Sequence, residues 1–179
     1  MSERNGNWMQ TFTGRAYWPI DPRADEVDIR DIAHALAMLC RYTGHCKDFY
    51  SVAEHSVLVS TMVEPEHAMQ ALLHDAAEAY CNDIARPLKR SLVEYPGIER
   101  TNWLVIAERF GVPHVEHHTV KQADDDILLS EAHVLLGPHP RPWRVPGAVK
   151  RDNILIECLL PRDAERQFLK RFIQLGGTV

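Results

Sequence analysis

The chain has 179 residues, 45% hydrophobic and 25% charged, enough to bury one substantial core and too few to require a second, so a single domain over 1–179 is expected. A formal net charge of −5 argues against a general electrostatic hold on polymeric nucleic acid, and no run is long and apolar enough to suggest a membrane partner. Cys40, Cys46, Cys81 and Cys158 form no C-x-x-C pair, and the opening MSERNGNW lacks a basic segment followed by an apolar one, so a cytoplasmic chain with reduced thiols is expected.

TFTGRAYWPIDPR mixes strand formers with Gly and Pro and predicts only short extended pieces. Ile29, Ile32, Ala33, Leu36, Ala37 and Cys40 then recur at the spacing of an amphipathic helix, with Asp28 as its cap. Ser51 and Glu54 form an S-x-x-E capping box that starts a helix running to about Met62. Pro65 suits a first helical position, and EHAMQALLHDAAEAY continues as the second arm of a helical hairpin. NDIARPLK supplies a break and YPG at 95–97 a turn before a stripe of Trp103, Ile106, Ala107 and Phe110. Thr119 and Gln122 read as another capping box, opening a helix with the stripe Val120, Ala123, Ile127, Leu128 and Val134. Four prolines in GPHPRPWRVPG exclude regular helix over 137–150 and predict a surface loop or lid. Pro161 starts a last helix, to about 175, with Phe168, Phe172 and Leu175 along one side. The sum is an all-α bundle of about six helices with little or no strand.

Within this bundle His74-Asp75 places two strong metal ligands where apolar neighbours predict burial. Buried without a partner, such groups are costly, so they are hydrogen-bonded, ion-paired or bound to a cation. His55 stands three, four and seven residues before Leu58, Val59 and Met62, on the core side of the preceding helix. Glu78 projects one turn beyond the pair and offers a proton acceptor; Asp83, past the helix end, caps the next turn or completes the site. Of Asp124, Asp125 and Asp126, only Asp124 shares the apolar stripe, whereas the other two rotate toward flanks that water can reach. Glu131, one heptad on, shares the face of Asp124 and either supports a ligand or pairs with an arginine. His55, His74, Asp75 and Asp124 thus form a mixed N and O set for one divalent ion, with Mn, Co, Zn, Fe, Ni and Mg all admissible. Such an ion acidifies a bound water and polarises a phosphoryl oxygen, which points to phosphate ester hydrolysis.

The pattern His55, His74-Asp75, Asp124 resembles the HD superfamily of metal-dependent phosphohydrolases, over about residues 27–135. CRYTGHCKDFYSVAEHS is also similar to small HD hydrolases of bacterial and prophage genomes. A narrower similarity is to the HD 5′-deoxynucleotidases, whose H-D-x-x-E-x-x-x-x-D core and following P-x-K are matched by His74, Asp75, Glu78, Asp83, Pro87 and Lys89. The resemblance implies that Glu78 positions or deprotonates the attacking water and that Asp83 protonates the leaving alkoxide or holds the site together. It also implies nucleotide binding by an Arg-Trp pair, matched here by Arg41-Tyr42 with tyrosine in place of tryptophan. An arginine fork at Arg41 and a point charge at Lys89 suit a phosphate, and Tyr42, Phe49 or Trp18 offers a stacking face for a base.

The expected reaction is hydrolysis of a 5′-(deoxy)nucleoside monophosphate to nucleoside and phosphate. The alternative is release of tripolyphosphate from a deoxynucleoside triphosphate. A cyclic-nucleotide phosphodiesterase needs further histidines, for which His114, His117 and His118 are candidates, and a non-catalytic nucleotide-binding module completes the range. By analogy with small HD hydrolases, the last helix and the proline-rich loop are expected to bury a homodimer or higher homo-oligomer contact.

Overall fold

In the computed structural model, which describes residues 4–179, the first helix begins where the Asp28 carboxylate accepts from the Arg30 backbone N–H, giving α1 (Ile29–Met38). Its apolar stripe is buried, from Ile29 to Ala37, and Cys40 lies past its end in a bridge to Ser51. Before it, β1 (Met9–Gln10) and β2 (Ala16–Tyr17) pair antiparallel; β2 is an extended piece expected from TFTGRAYW, and β1 lies just ahead of that stretch. The expectation drawn from the opening MSERNGNW falls partly on residues 1–3, which lie outside those described.

Ser51 caps α2 (Val52–Thr61) by accepting from the Glu54 N–H. The second half of the expected capping box does not form. The Glu54 carboxylate instead accepts from the backbone N–H groups of Glu157, Cys158 and Leu159, because burial beside the returning C-terminal segment offers it three unpaired donors. α2 is the central helix, packed by α1, by α3 (Ala68–Leu73), by α7 (His118–Leu135) and by α8 (Pro161–Gln174). Because neighbours cover it on several sides, Glu54, His55, Ser56 and Ser60 are as buried as Val52 and Val59.

The hairpin's second arm is not continuous. α3 ends at Leu73, a turn holds His74 to Ala77, and α4 (Glu78–Cys81) follows. The cause is local: the His74 ring bonds the Ala71 carbonyl at 2.7 Å, and the next backbone bonds tighten to the i→i+3 pattern, from Ala76 N to Leu73 O and from Glu78 N to Asp75 O. Pro87 does not merely break the chain but sits in the first turn of the short α5 (Arg86–Lys89), and Tyr95-Pro96-Gly97 opens α6 (Tyr95–Phe110) rather than preceding it. Gly111 closes α6 in the left-handed conformation, φ 66°.

The Thr119–Gln122 box is also corrected. His117 is the cap of α7, and the Gln122 side chain reaches forward to Asp126 and the Gly147 carbonyl. Val134 is exposed and Leu135 buried in its place. α8 inserts Ala164, Phe168 and Phe172 between α1 and α2, and each phenylalanine contributes about 1.5–3 kcal/mol by burial. Segment 137–150 is irregular as expected, and the four cysteine thiols are free and half-buried. The chain is all-α apart from the two-residue strands, with six helices of six residues or more and the single turns α4 and α5 among the described residues. No helix there is long and apolar enough to cross a membrane.

Candidate metal centre

α2, the turn after α3, and α7 converge on one point. The Nε2 atoms of His55 and His74 lie 3.3 Å apart, and Asp124 Oδ1 stands 3.4 Å from the first and 3.9 Å from the second. Asp75 Oδ2 approaches the same two nitrogens at 3.5 and 3.3 Å. His55, His74 and Asp124 meet as a compact group able to hold a metal ion, with Asp75 adjoining it through both imidazoles. His55 is wholly buried and the His74 side chain is 4% exposed, so the cluster is shielded from bulk water on its imidazole side.

The donor chemistry fits a cation. The His55 Nδ1 faces Glu131 Oε1 at 2.6 Å, and the His74 Nδ1 faces the Ala71 carbonyl at 2.7 Å. A backbone carbonyl only accepts, as does an ionised carboxylate, so both rings place a proton on Nδ1 and turn Nε2 inward, where a cation would take the place of any proton held there. Burial acts to lower the His74 pKa, but Asp75 and Asp124 outweigh it and hold it up at about 9. Burial likewise opposes ionisation of Asp75 and Asp124, yet the histidines keep both carboxylates below the usual range. The pocket therefore favours positive charge at its centre.

Behind the cluster lies a network that sequence spacing only hinted at. Glu131 is fully buried and accepts from His55, from the Tyr50 hydroxyl at 2.8 Å and from the Tyr42 hydroxyl at 2.7 Å, with Arg41 Nη2 at 3.2 Å. Burial works against its charge, but Arg41 and His55 prevail and bring its pKa down to about 2. Both open alternatives for Glu131, ligand support and arginine pairing, are thus realised together. Arg41 also stands 3.5 Å from Asp75 Oδ2, and its buried Nε–H has no partner. Tyr42 spends its hydroxyl on Glu131 and meets Trp143 of the proline-rich loop edge-on, ring centroids 6.2 Å apart. Phe49 is half-buried, and Trp18 carries the Arg4 guanidinium over its face.

Glu78 is buried beside the cluster with Oε2 unpartnered, and burial, reinforced by Asp75 and Asp83, pushes its pKa well above the usual carboxylate range. Asp83 is half-buried and also raised by burial; Asn82, with φ 74°, turns the chain back at the end of α4 to place it there. Lys89 is not a free cation: it pairs with Glu99 and lies over the Tyr95 ring, although its charge still reaches Glu78 and Asp83.

Two basic residues stand at Asp124. Arg86 Nη2 and Lys121 Nζ bind Asp124 Oδ2 at 2.7 and 2.9 Å, and both also hold Asp125. Lys121 sits three residues before Asp124 on the same helix, a spacing that signals such a pair. Asp126 corrects an expectation, since it is wholly buried rather than turned to water. The returning 147–151 segment covers it, and it accepts from Gln122, the Val149 N–H and Arg151. His117 stacks on His67 at 3.7 Å and caps α7, away from the cluster.

Sequence comparison finds relatives of the chain. The chain is 39% identical to the uncharacterized protein YfdR of Escherichia coli over 171 residues, covering 95% of this chain and 96% of YfdR. It is 33% identical to an uncharacterized Rhodobacter capsulatus protein over 126 residues, 65% of this chain and 64% of that one. No family profile matches the chain.

Proposed function

For this chain, which belongs to the family of YfdR, we propose a metal-dependent phosphohydrolase of the HD type acting on nucleotides, most simply a 5′-(deoxy)nucleoside monophosphate. The observation that supports the reading is the pair of Nε2 atoms turned toward one another beside two ionised carboxylates, a mixed N and O donor set suited to a cation. His55, His74, Asp75 and Asp124 would hold one divalent ion from the series Mn, Co, Zn, Fe, Ni and Mg. When bound, it supplies the positive charge that acidifies water and polarises a phosphoryl oxygen.

The remaining residues divide the proton and phosphate work. Glu78, with its unpartnered buried Oε2, orients the attacking water and, in its ionised form, takes its proton. The water oxygen joins phosphorus, the bond from phosphorus to O5′ breaks, and Asp83, whose pKa burial raises, delivers a proton to the departing O5′. Arg41 offers an unpaired buried Nε–H to a phosphoryl oxygen, and Lys89 contributes longer-range positive charge. Phosphate and nucleoside leave.

The test is a panel of nucleoside mono-, di- and triphosphates and cyclic nucleotides with each divalent ion, reading every product. Orthophosphate from monophosphates supports the proposal. Tripolyphosphate from triphosphates reassigns the substrate within the same chemistry, and hydrolysis of cyclic nucleotides with two metals per chain replaces it by a phosphodiesterase. Tight nucleotide binding without turnover under any metal overturns the enzymatic reading in favour of a binding module.

A further inference from the structure

The two inward-facing imidazoles are set by different devices. His74 takes its tautomer from a backbone carbonyl, Ala71 O, which no substitution removes. His55 takes its tautomer from a side chain, Glu131, at 2.6 Å. That carboxylate lies seven residues beyond Asp124 on α7, two turns along the same face, so one helix supplies both a candidate ligand and the group behind another.

Glu131 does more than face His55. Oε1 is shared between His55 Nδ1 and the Tyr50 hydroxyl, while Oε2 accepts from Tyr42 and stands 3.2 Å from Arg41 Nη2. Arg41 then reaches Asp75 Oδ2 at 3.5 Å, which lies 3.5 Å from His55 Nε2. The contacts therefore close a ring through His55, Glu131, Arg41 and Asp75. The Arg41–Gly44 turn that carries two of these groups is held with Tyr42 and Thr43 in left-handed backbone, φ 56° and 54°. Two consecutive non-glycine residues in that region persist only when their surroundings enforce it. The bond from Tyr42 to the fully buried Glu131 is such an enforcement.

We propose that Glu131 is a positioning residue that holds His55 in the Nδ1–H tautomer and ties the Arg41–Tyr42 turn to the same carboxylate, so that the imidazole facing the centre and the guanidinium beside it are ordered together. Its consequences for metal affinity rest on the phosphohydrolase reading; the tautomer itself does not.

The experiment is a long-range nitrogen–proton correlation spectrum of metal-free protein with labelled histidine, paired with a cobalt(II) titration followed by visible absorption. The wild type is expected to show His55 protonated at Nδ1 and bare at Nε2. Glu131→Gln, which is neutral and carries donors of its own, is expected to mix the tautomers and weaken cobalt binding about 10–100-fold, with the helical circular dichroism unchanged. A wild-type His55 protonated at Nε2, or a Glu131→Gln protein with the wild-type tautomer and cobalt affinity, overturns the proposal. Should Glu131→Gln not fold, Tyr50→Phe serves: relieved of one competing donor, Oε1 is expected to bind His55 more strongly and move its Nδ1 proton downfield, and an unmoved resonance counts against the role. A wild type with the expected tautomer that takes up no divalent ion leaves the positioning role standing and removes the metal reading instead.

Discussion

His55 and His74 turn their Nε2 atoms toward one another at 3.3 Å, each ring anchored from behind by an acceptor. Two lone pairs at that distance repel unless a proton or a cation lies between them. Metal binding is therefore expected to stabilise the fold, by about 2.7 kcal/mol at a free metal concentration 100 times the dissociation constant. For a chain of this size that corresponds to a Tm rise of about 5–10 °C over the chelator-treated protein. Scanning fluorimetry with manganese, cobalt or zinc against EDTA checks it. Asp75→Ala, His74→Ala and Asp124→Ala are each expected to abolish the rise, and an Asp75→Ala protein with full metal-free activity would sink the mechanism.

Glu78 allows a pH prediction with a definite sign. Burial, reinforced by Asp75 and Asp83, raises its folded-state pKa well above the ordinary 4.5. Stability tied to its protonated form is then fully present below about 4.5 and is lost as pH rises through the raised value. In metal-free protein, Glu78→Gln is expected to match wild-type Tm near pH 4.5 and to exceed it increasingly as pH rises from there through the raised value. With metal, the same variant is expected to retain cobalt binding and lose about 10²–10⁴-fold in kcat. Parallel Tm curves for the two proteins across that range count against a buried, proton-holding Glu78.

The parts of this site that sequence made legible are those fixed by one helix alone. Helical phase put His55 and Asp124 inward, and adjacency put Asp75 beside His74, because side-chain direction on a helix follows from residue number. What it missed depends on chain returning from far away. Asp126 has the phase of a solvent-facing residue, yet segment 147–151 folds over it and supplies Val149 and Arg151 as donors. Glu54 completes a local capping pattern in sequence, but three N–H groups about a hundred residues later claim its carboxylate. Lys89 looked like a phosphate ligand because nothing nearby in sequence announces Glu99 as its partner. Tyr50 was passed over for its neighbour Phe49 for the same reason: only the approach of α7 gives its hydroxyl Glu131 to bind.

The Asp126 contacts govern the proline-rich loop. Asp126→Ala strips an acceptor from the Gln122 amide, the Val149 N–H and Arg151 at once. The expected cost is about 1–3 kcal/mol, the net worth of the lost hydrogen bonds, one of them charge-assisted, since water can reach the freed donors. Limited proteolysis is expected to cut first within 137–150, and the Trp143 emission is expected to shift to the red as its ring leaves Tyr42 for water. Cleavage elsewhere, with an unchanged spectrum, shows that the loop is held by other contacts.

Arg41 separates phosphate binding from charge balance. Its guanidinium stands between Asp75 and Glu131, with only 11% of the side chain exposed, so Arg41→Ala leaves two carboxylates facing each other across the gap. Removing one partner of a buried pair costs about 3–5 kcal/mol, and Arg41→Ala is expected to lower Tm accordingly. A rise in KM for that variant alone therefore proves nothing about substrate. Arg41→Lys is the informative change: an ammonium restores much of the charge but not the fork, and it removes the unpaired Nε–H that suits a phosphoryl oxygen. If Arg41 holds phosphate, Arg41→Lys recovers most of the lost Tm and still shows KM raised about 10-fold or more, as expected for a lost charge-assisted hydrogen bond of roughly 1.5–3 kcal/mol. Recovery of Tm and KM together assigns Arg41 to charge balance alone, and the phosphate must then be sought at Arg86 or Lys121, whose cations stand on the far oxygen of Asp124.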